Sequence, residues 1–195
     1  MSIDRQRRIL LVLFALFLAP VVLAILMHSK WWDFQPQETR NHGELVEPAI
    51  ELPQPLAAIL RQPTAAKKWS LLLTAPQGCN NDCRQRLDWL NQVRLAQAQH
   101  RDAVRIVLAA GDPVSADSTA VLRRLAPGLV IIDGERGSNL LALAPAAKTA
   151  ATYIIDPEGF IILQYPASMD PTGIRKDLDR LLTWSQRREP DSPES

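Results

Sequence analysis

From Ile9 to Met27 the chain runs for 19 residues without a charged side chain. A helix crossing the hydrocarbon core of a bilayer needs about 20 predominantly apolar residues, so this run is expected to be a transmembrane helix. Arg5, Arg7 and Arg8 precede it, while Lys30 alone follows closely. Because an excess of Lys and Arg marks the cytoplasmic side, the N-terminus is expected in the cytoplasm and everything after Met27 on the far side, which for a bacterial inner (plasma) membrane is the periplasm. Trp31 and Trp32 fall where an interfacial aromatic belt would lie. Pro20 is tolerable inside the span, since neighbours and local adjustments can satisfy the carbonyl it frees. The competing reading is a cleaved signal peptide. The apolar run is longer than the usual h-region, and LAILMHSK offers no small-x-small cleavage site, so a single-pass uncleaved signal-anchor is preferred.

A chain of 195 residues leaves room beyond the anchor for one ordinary domain. Its 22 Lys plus Arg against 21 Asp plus Glu give no basic footprint, which argues against a nucleic-acid partner. The expected organisation is a cytoplasmic N-terminus and anchor over 1–30, a Pro-rich tether over 31–66, a folded domain over 67–186 and a charged, disordered tail over 187–195. Pro36, Pro48, Pro53, Pro55 and Pro63 interrupt any long helix in the tether, where a short helix over Leu56 to Arg61 and otherwise a mobile or edge-wrapping segment are expected.

Within the domain, WSLLLT from Trp69 is a continuous apolar run bounded by Ala75-Pro76-Gln77-Gly78, the pattern of a buried strand ending in a turn. Asn80 or Asn81 can cap a following helix whose core stripe is Cys83, Leu87, Leu90 and Val93, with Arg84, Arg86, Gln92 and Arg94 outside it and an end near Gln99. Val104 to Ala109 reads as a strand, Asp117 to Leu125 as a helix, Leu129 to Ile132 as a strand and Ser138 to Ala144 as a short helix. Thr152 to Ile155 and Phe160 to Gln164 read as a hairpin through Asp156-Pro157-Glu158-Gly159, with Pro second and Gly fourth as a type I turn prefers. A last helix begins at Asp170 as N-cap and Pro171 as first residue, carrying Ile174, Leu178, Leu181 and Leu182 on one face. This order predicts an α/β fold, a thioredoxin-like domain with a central mixed sheet flanked by helices, behind one N-terminal transmembrane helix.

The chain's two cysteines, Cys79 and Cys83, lie where the first core strand turns into the first long helix. The positive end of the helix dipole and its free N–H groups favour a thiolate there. The spacing lets the sulfurs meet as a redox pair, as two corners of a soft-metal site suited to Cu(I), or as a structural staple. A staple closing so short a loop restricts the unfolded chain by only about 2 kcal/mol. Of the three histidines, His28 is at the membrane surface and His42 is in the tether. His100 lies 17 positions beyond Cys83, about 25 Å away on a continuous helix. Met169 is a further soft donor, expected to serve packing. Asp133 and Asp156 end strands and read as turn residues. H-x-x-x-H, G-x-S-x-G and phosphate-loop patterns are absent from the sequence.

WSLLLTAPQGCNNDC together with TYIIDPEGFIILQYP resembles the Sco/SenC proteins over about residues 67 to 184. These are membrane-anchored, thioredoxin-like copper chaperones of cytochrome c oxidase assembly with C-x-x-x-C and a similar I-D-P-x-G turn. The resemblance implies copper as a cofactor, held by Cys79 and Cys83, and partners among oxidase subunits or copper chaperones. The chain departs from the family's pattern at the third copper ligand, a His whose matching place is Lys148, and at the proline of the cysteine loop, replaced by Asn80-Asn81-Asp82. A lysine cation does not substitute for neutral imidazole at copper. A thioredoxin-type reductase would resemble this chain less, having C-x-x-C and a cis-proline where Ala150-Ala151-Thr152 stand.

The expected activity is therefore that of a haem–copper oxidase assembly factor with oxidoreductase-like thiol–disulfide exchange, Cys79 being the more exposed sulfur and Cys83 resolving it. The rival readings are a non-catalytic scaffold with a structural disulfide and an incomplete two-thiolate Cu(I) site completed by a partner.

Overall fold

The computed structural model describes Arg7, Ile9 and residues 12–19, 41–60, 68–145 and 149–188, with the side chains of 186–188 excepted. The chain divides into two compact units, Met1–Thr39 and Arg40–Ser195. In the first, residues 12–19 are helical, and Val12, Leu13, Phe14, Leu16, Phe17 and Leu18 are all exposed. The rest of the expected span through Pro20 to Met27, and with it Arg5, Arg8, His28, Lys30, Trp31 and Trp32, lies outside the described residues. Among the described residues no helix is long and apolar enough to cross a membrane. Lys148 and the tail 189–195 also lie outside them.

The second unit is built on one six-stranded mixed sheet in the order β1-β6-β5-β2-β3-β4. Its strands are β1 (Glu44–Glu51), β2 (Trp69–Ala75), β3 (Val104–Ala110), β4 (Val130–Ile132), β5 (Ala151–Ile155) and β6 (Phe160–Pro166). β2, β3 and β4 run parallel, while β5 is antiparallel to β2, β6 to β5 and β1 to β6. The helices are α1 (Gln54–Leu60), α2 (Asn81–Leu95), α3 (Ala116–Leu125), α4 (Gly134–Leu143) and α5 (Pro171–Arg188).

β2 is buried at every residue, which is why its sequence is continuously apolar rather than alternating. Successive side chains point to opposite faces. Leu71 and Leu73 therefore join Leu87, Leu90, Leu178 and Leu182 of α2 and α5 in one core layer, whereas Leu72 joins Leu56 and Leu60 of α1 and Leu140 of α4 in the other. The cysteine-bearing helix is thus fixed to the sheet by its Cys83, Leu87, Leu90 and Val93 stripe.

Several boundaries differ from the sequence expectation. The segment read as a tether holds the edge strand β1, and the short helix expected there from Leu56 is α1, which begins two residues earlier, at Gln54. β1 is mostly exposed, so it carries no alternating apolar pattern, and its pairing is shifted between Leu45 and Ile50, around Pro48, which cannot donate to a ladder. α2 stops at Leu95 rather than near Gln99. Gln97 Nε2 donates to Val93 O at 3.2 Å, occupying a carbonyl that a longer helix would use, and Ala98 turns to φ 49° before a 3-10 helix over Ala98–Ala103. α4 starts four residues earlier than the expected Ser138, with Asp133 at the N-cap position and Gly134 at φ 60°. It crosses the sheet so closely that a Cβ on Gly137 would collide with Ala110 O and Ile132 O.

Candidate functional site

β2 ends at Ala75, and the chain reverses through Pro76-Gln77-Gly78, where Gly78 N donates to Ala75 O at 3.1 Å. Gly78 has φ 81°, a conformation that glycine adopts at no steric cost. Asn80 then caps α2, its Oδ1 accepting from Cys83 N at 3.0 Å, as short polar side chains do at an N-cap. Cys79 consequently sits in the loop just before the cap and Cys83 in the first helical turn. Their Cα atoms are 5.1 Å apart and their sulfurs are joined in a disulfide. Of the three sequence readings, the structure brings the two residues together as a covalent pair.

The two halves of that bond have different surroundings. Cys83 is 5% exposed and belongs to the α2 core stripe, whereas Cys79 is half-buried and packs on the edge of the same layer. Cys79 lines a cleft of about 230 Å³ together with Arg84, Pro113, Val114 and Ser115. Cys83 lines another, of about 320 Å³, with Asp82, Arg86, Thr149, Ala150 and Ala167. The loop from Asp112 to Ser115 is held by Asp133, whose Oδ2 accepts from Val114 N at 2.7 Å. Asp133 stands at the N-cap position of α4 without a side-chain capping bond, and its carboxylate is therefore a loop-holding group. Asp156 is the turn residue expected: its Oδ1 accepts from Gly159 N and Phe160 N, each at 2.8 Å.

Sequence reasoning placed Arg86 on the outer face of the helix and gave it no role. In the structure its Nη1 is buried and has no hydrogen-bond partner among the described residues, and the side chain lines both the Cys83 cleft and a small adjoining cavity with Met169. The signal was its position one helical turn beyond Cys83, where residues share a face. The Pro113–Ser115 wall of the Cys79 cleft was also missed, because only tertiary folding carries it there.

The other candidate donors stand apart. His42 is not in a mobile tether: its backbone N–H donates to Asp177 Oδ2 at 2.7 Å and its side chain approaches Gly173 of α5. His100 is in the 3-10 helix beyond the end of α2, and Met169 packs against the core and lines the small cavity rather than either cysteine cleft. In the disulfide neither sulfur is a thiolate, and among the described residues no group of three or more His, Cys, Asp or Glu could hold a metal ion. These residues do not fit a copper ion as they stand.

A family model described as transmembrane-like, thioredoxin-like, C-terminal domain matches residues 69–185. No curated protein matches the sequence. Among solved structures, copper-bound ScoI of Arabidopsis thaliana superposes with a TM-score of 0.51 at 14% identity, covering 61% of this chain and 86% of the other. Apo Sco1 of Thermus thermophilus does so with a TM-score of 0.53 at 15% identity, covering 74% and 96%. Both are Sco proteins, and at these identities the likeness establishes the thioredoxin-like fold.

Proposed function

This chain belongs to the transmembrane-like, thioredoxin-like C-terminal domain family, and from that premise we propose that it is a membrane-anchored assembly factor for cytochrome c oxidase acting by thiol–disulfide exchange at Cys79 and Cys83. The observation that carries the reading is the asymmetry of the disulfide: one sulfur is half-buried beside a cleft, and the other is buried at the first turn of a helix. An incoming thiolate can reach Cys79, and a thiolate left on Cys83 meets the positive end of the helix dipole and its free N–H groups. A bond that served stability alone would add only about 2 kcal/mol across so short a loop.

The apolar, exposed helix over residues 12–19 supports the anchor. With the positive residues ahead of it, the domain works on the periplasmic side of an inner (plasma) membrane, where oxidising conditions keep such a pair closed until a reductant opens it. The partners proposed are oxidase subunits or the copper chaperones that serve them. Copper bound to the Arabidopsis relative favours a substrate that is itself a copper-binding cysteine pair, which must be reduced before it can take the metal. The test is complementation of a strain lacking the protein. The parent chain restores oxidase activity, and the Cys79→Ser/Cys83→Ser double variant, present at equal level in the membrane, does not. Full restoration by the double variant would establish a scaffold instead.

A further inference from the structure

The two clefts beside the disulfide differ in what they offer a reacting partner. Exchange proceeds by attack of a thiolate on one sulfur of the disulfide, through a mixed disulfide, with the other sulfur leaving. Displacement at sulfur is in line, so a thiolate attacking Cys79 Sγ comes from the side away from Cys83, and charge builds on Cys83 Sγ. Cys83 shares its cleft with Arg86, one helical turn further along the same face. Arg86 Nη1 is buried with no hydrogen-bond partner among the described residues. A guanidinium nitrogen held without a partner is costly, unless an anion appears beside it. Asp82 lines the same cleft, but it is exposed, and water and salt screen an exposed charge more than a buried one.

We propose that Arg86 is the positioning residue of the exchange, its guanidinium holding the negative charge that the Cys83 sulfur acquires when a partner's thiolate opens the disulfide at Cys79. The inference rests on the exchange reading above. In the first step the partner's sulfur bonds to Cys79 Sγ, the Cys79–Cys83 bond breaks, and its electron pair leaves on Cys83 Sγ beside Arg86. In the second, the partner's other thiol loses its proton and attacks the mixed disulfide, expelling the Cys79 thiolate. Two electrons pass from the dithiol of a reducing partner, which becomes a disulfide and is distinct from the substrate pair that the opened cysteines then reduce, and the protons shed by the partner's thiols balance those the two cysteines take up. Arg86 therefore favours the open form and makes the pair a better acceptor of electrons.

The experiment equilibrates the full chain in detergent with dithiothreitol at graded ratios of its two forms, for the parent, Arg86→Met and Arg86→Lys. Methionine keeps the apolar stem and removes the charge. Arg86→Met is expected to lower the equilibrium constant for opening the pair about tenfold, which is about 30 mV more negative for a two-electron couple, and Arg86→Lys is expected to recover most of it. If Arg86→Met fails to fold, Arg86→Gln replaces it. An unchanged constant in the neutral variant, or an equal loss in Arg86→Lys, overturns the proposal, the second by showing a packing role. Failure of the parent pair to exchange with the dithiol while folded overturns the exchange reading itself, so the parent decides one claim and the variants the other.

Discussion

Cys79 and Cys83 are bonded to each other yet line different clefts. One sulfur is thereby open to attack while the other is held at the start of a helix, where a thiolate is favoured. On the proposed reading the bond serves exchange more than cohesion, and the two contributions can be measured apart.

Replacing both cysteines by serine should cost about 2 kcal/mol of folding stability, the chain-entropy value for so short a loop. Denaturant melts of the full chain in detergent check this. A loss of twice that size would mean that the sulfur pair supports the α2 layer well beyond its crosslink.

A second cluster fixes the start of the domain to its last helix. Asp177 is 1% exposed, and its Oδ2 accepts from His42 N at 2.7 Å, Gly43 N at 2.9 Å and the Tyr165 hydroxyl at 2.9 Å. Burial and the neighbouring Asp177 carboxylate push the Tyr165 hydroxyl far above its usual range, so it remains a donor at any working pH. Tyr165→Phe should cost about 2 kcal/mol by removing a bond to a buried charged group. Asp177→Ala should cost more, since it leaves three donors unanswered. Thermal melts of the two variants check the order.

Asp156 gives a pH dependence of definite sign. Desolvation by burial, the largest cause, and then the nearby Glu158 raise its carboxyl above the usual value, against the opposing backbone donors Phe160 and Gly159. The folded state therefore binds this proton more tightly than the unfolded chain, and the group's contribution to stability falls as pH rises through the folded value. Asp156→Asn keeps an oxygen for Gly159 N and Phe160 N and has no charge to bury. The variant should gain relative to the parent as pH climbs above the ordinary carboxylate range, whereas Asp156→Ala should be less stable throughout. Melting temperatures across a pH series check both.

Gly137→Ala should destabilise by about 1–3 kcal/mol, the usual range for overpacking, because its Cβ would meet the Ala110 and Ile132 carbonyls where α4 crosses the sheet. Gly128, with φ 82° and open space around it, offers a control of another kind: there alanine meets backbone strain and no collision.

The elements with strong local signals were legible from the sequence. β2 announced itself by an unbroken apolar run between turn residues, α2 by its Cys83-Leu87-Leu90-Val93 stripe, and the β5–β6 hairpin by Asp156-Pro157-Glu158-Gly159. What escaped had its cause in tertiary structure. β1 is an exposed edge strand whose pairing to β6 takes the place of an apolar pattern, and the early start of α4 depends on Gly137 passing close over β3 and β4. The cysteine site was half legible. Its two sulfurs follow from spacing and the sequence narrows the cap to Asn80 or Asn81, of which the structure uses Asn80, but Arg86 looked like an ordinary solvated arginine, and nothing local to residues 112–115 places them beside Cys79.

The most direct test is the reduction potential of the Cys79–Cys83 pair in the folded full chain, measured against dithiols of known potential. Exchange at this pair requires a value above about −300 mV, in the range of labile, exchanging disulfides. A value below that, with the pair resisting reduction until the domain unfolds, would contradict it and leave the bond as a staple.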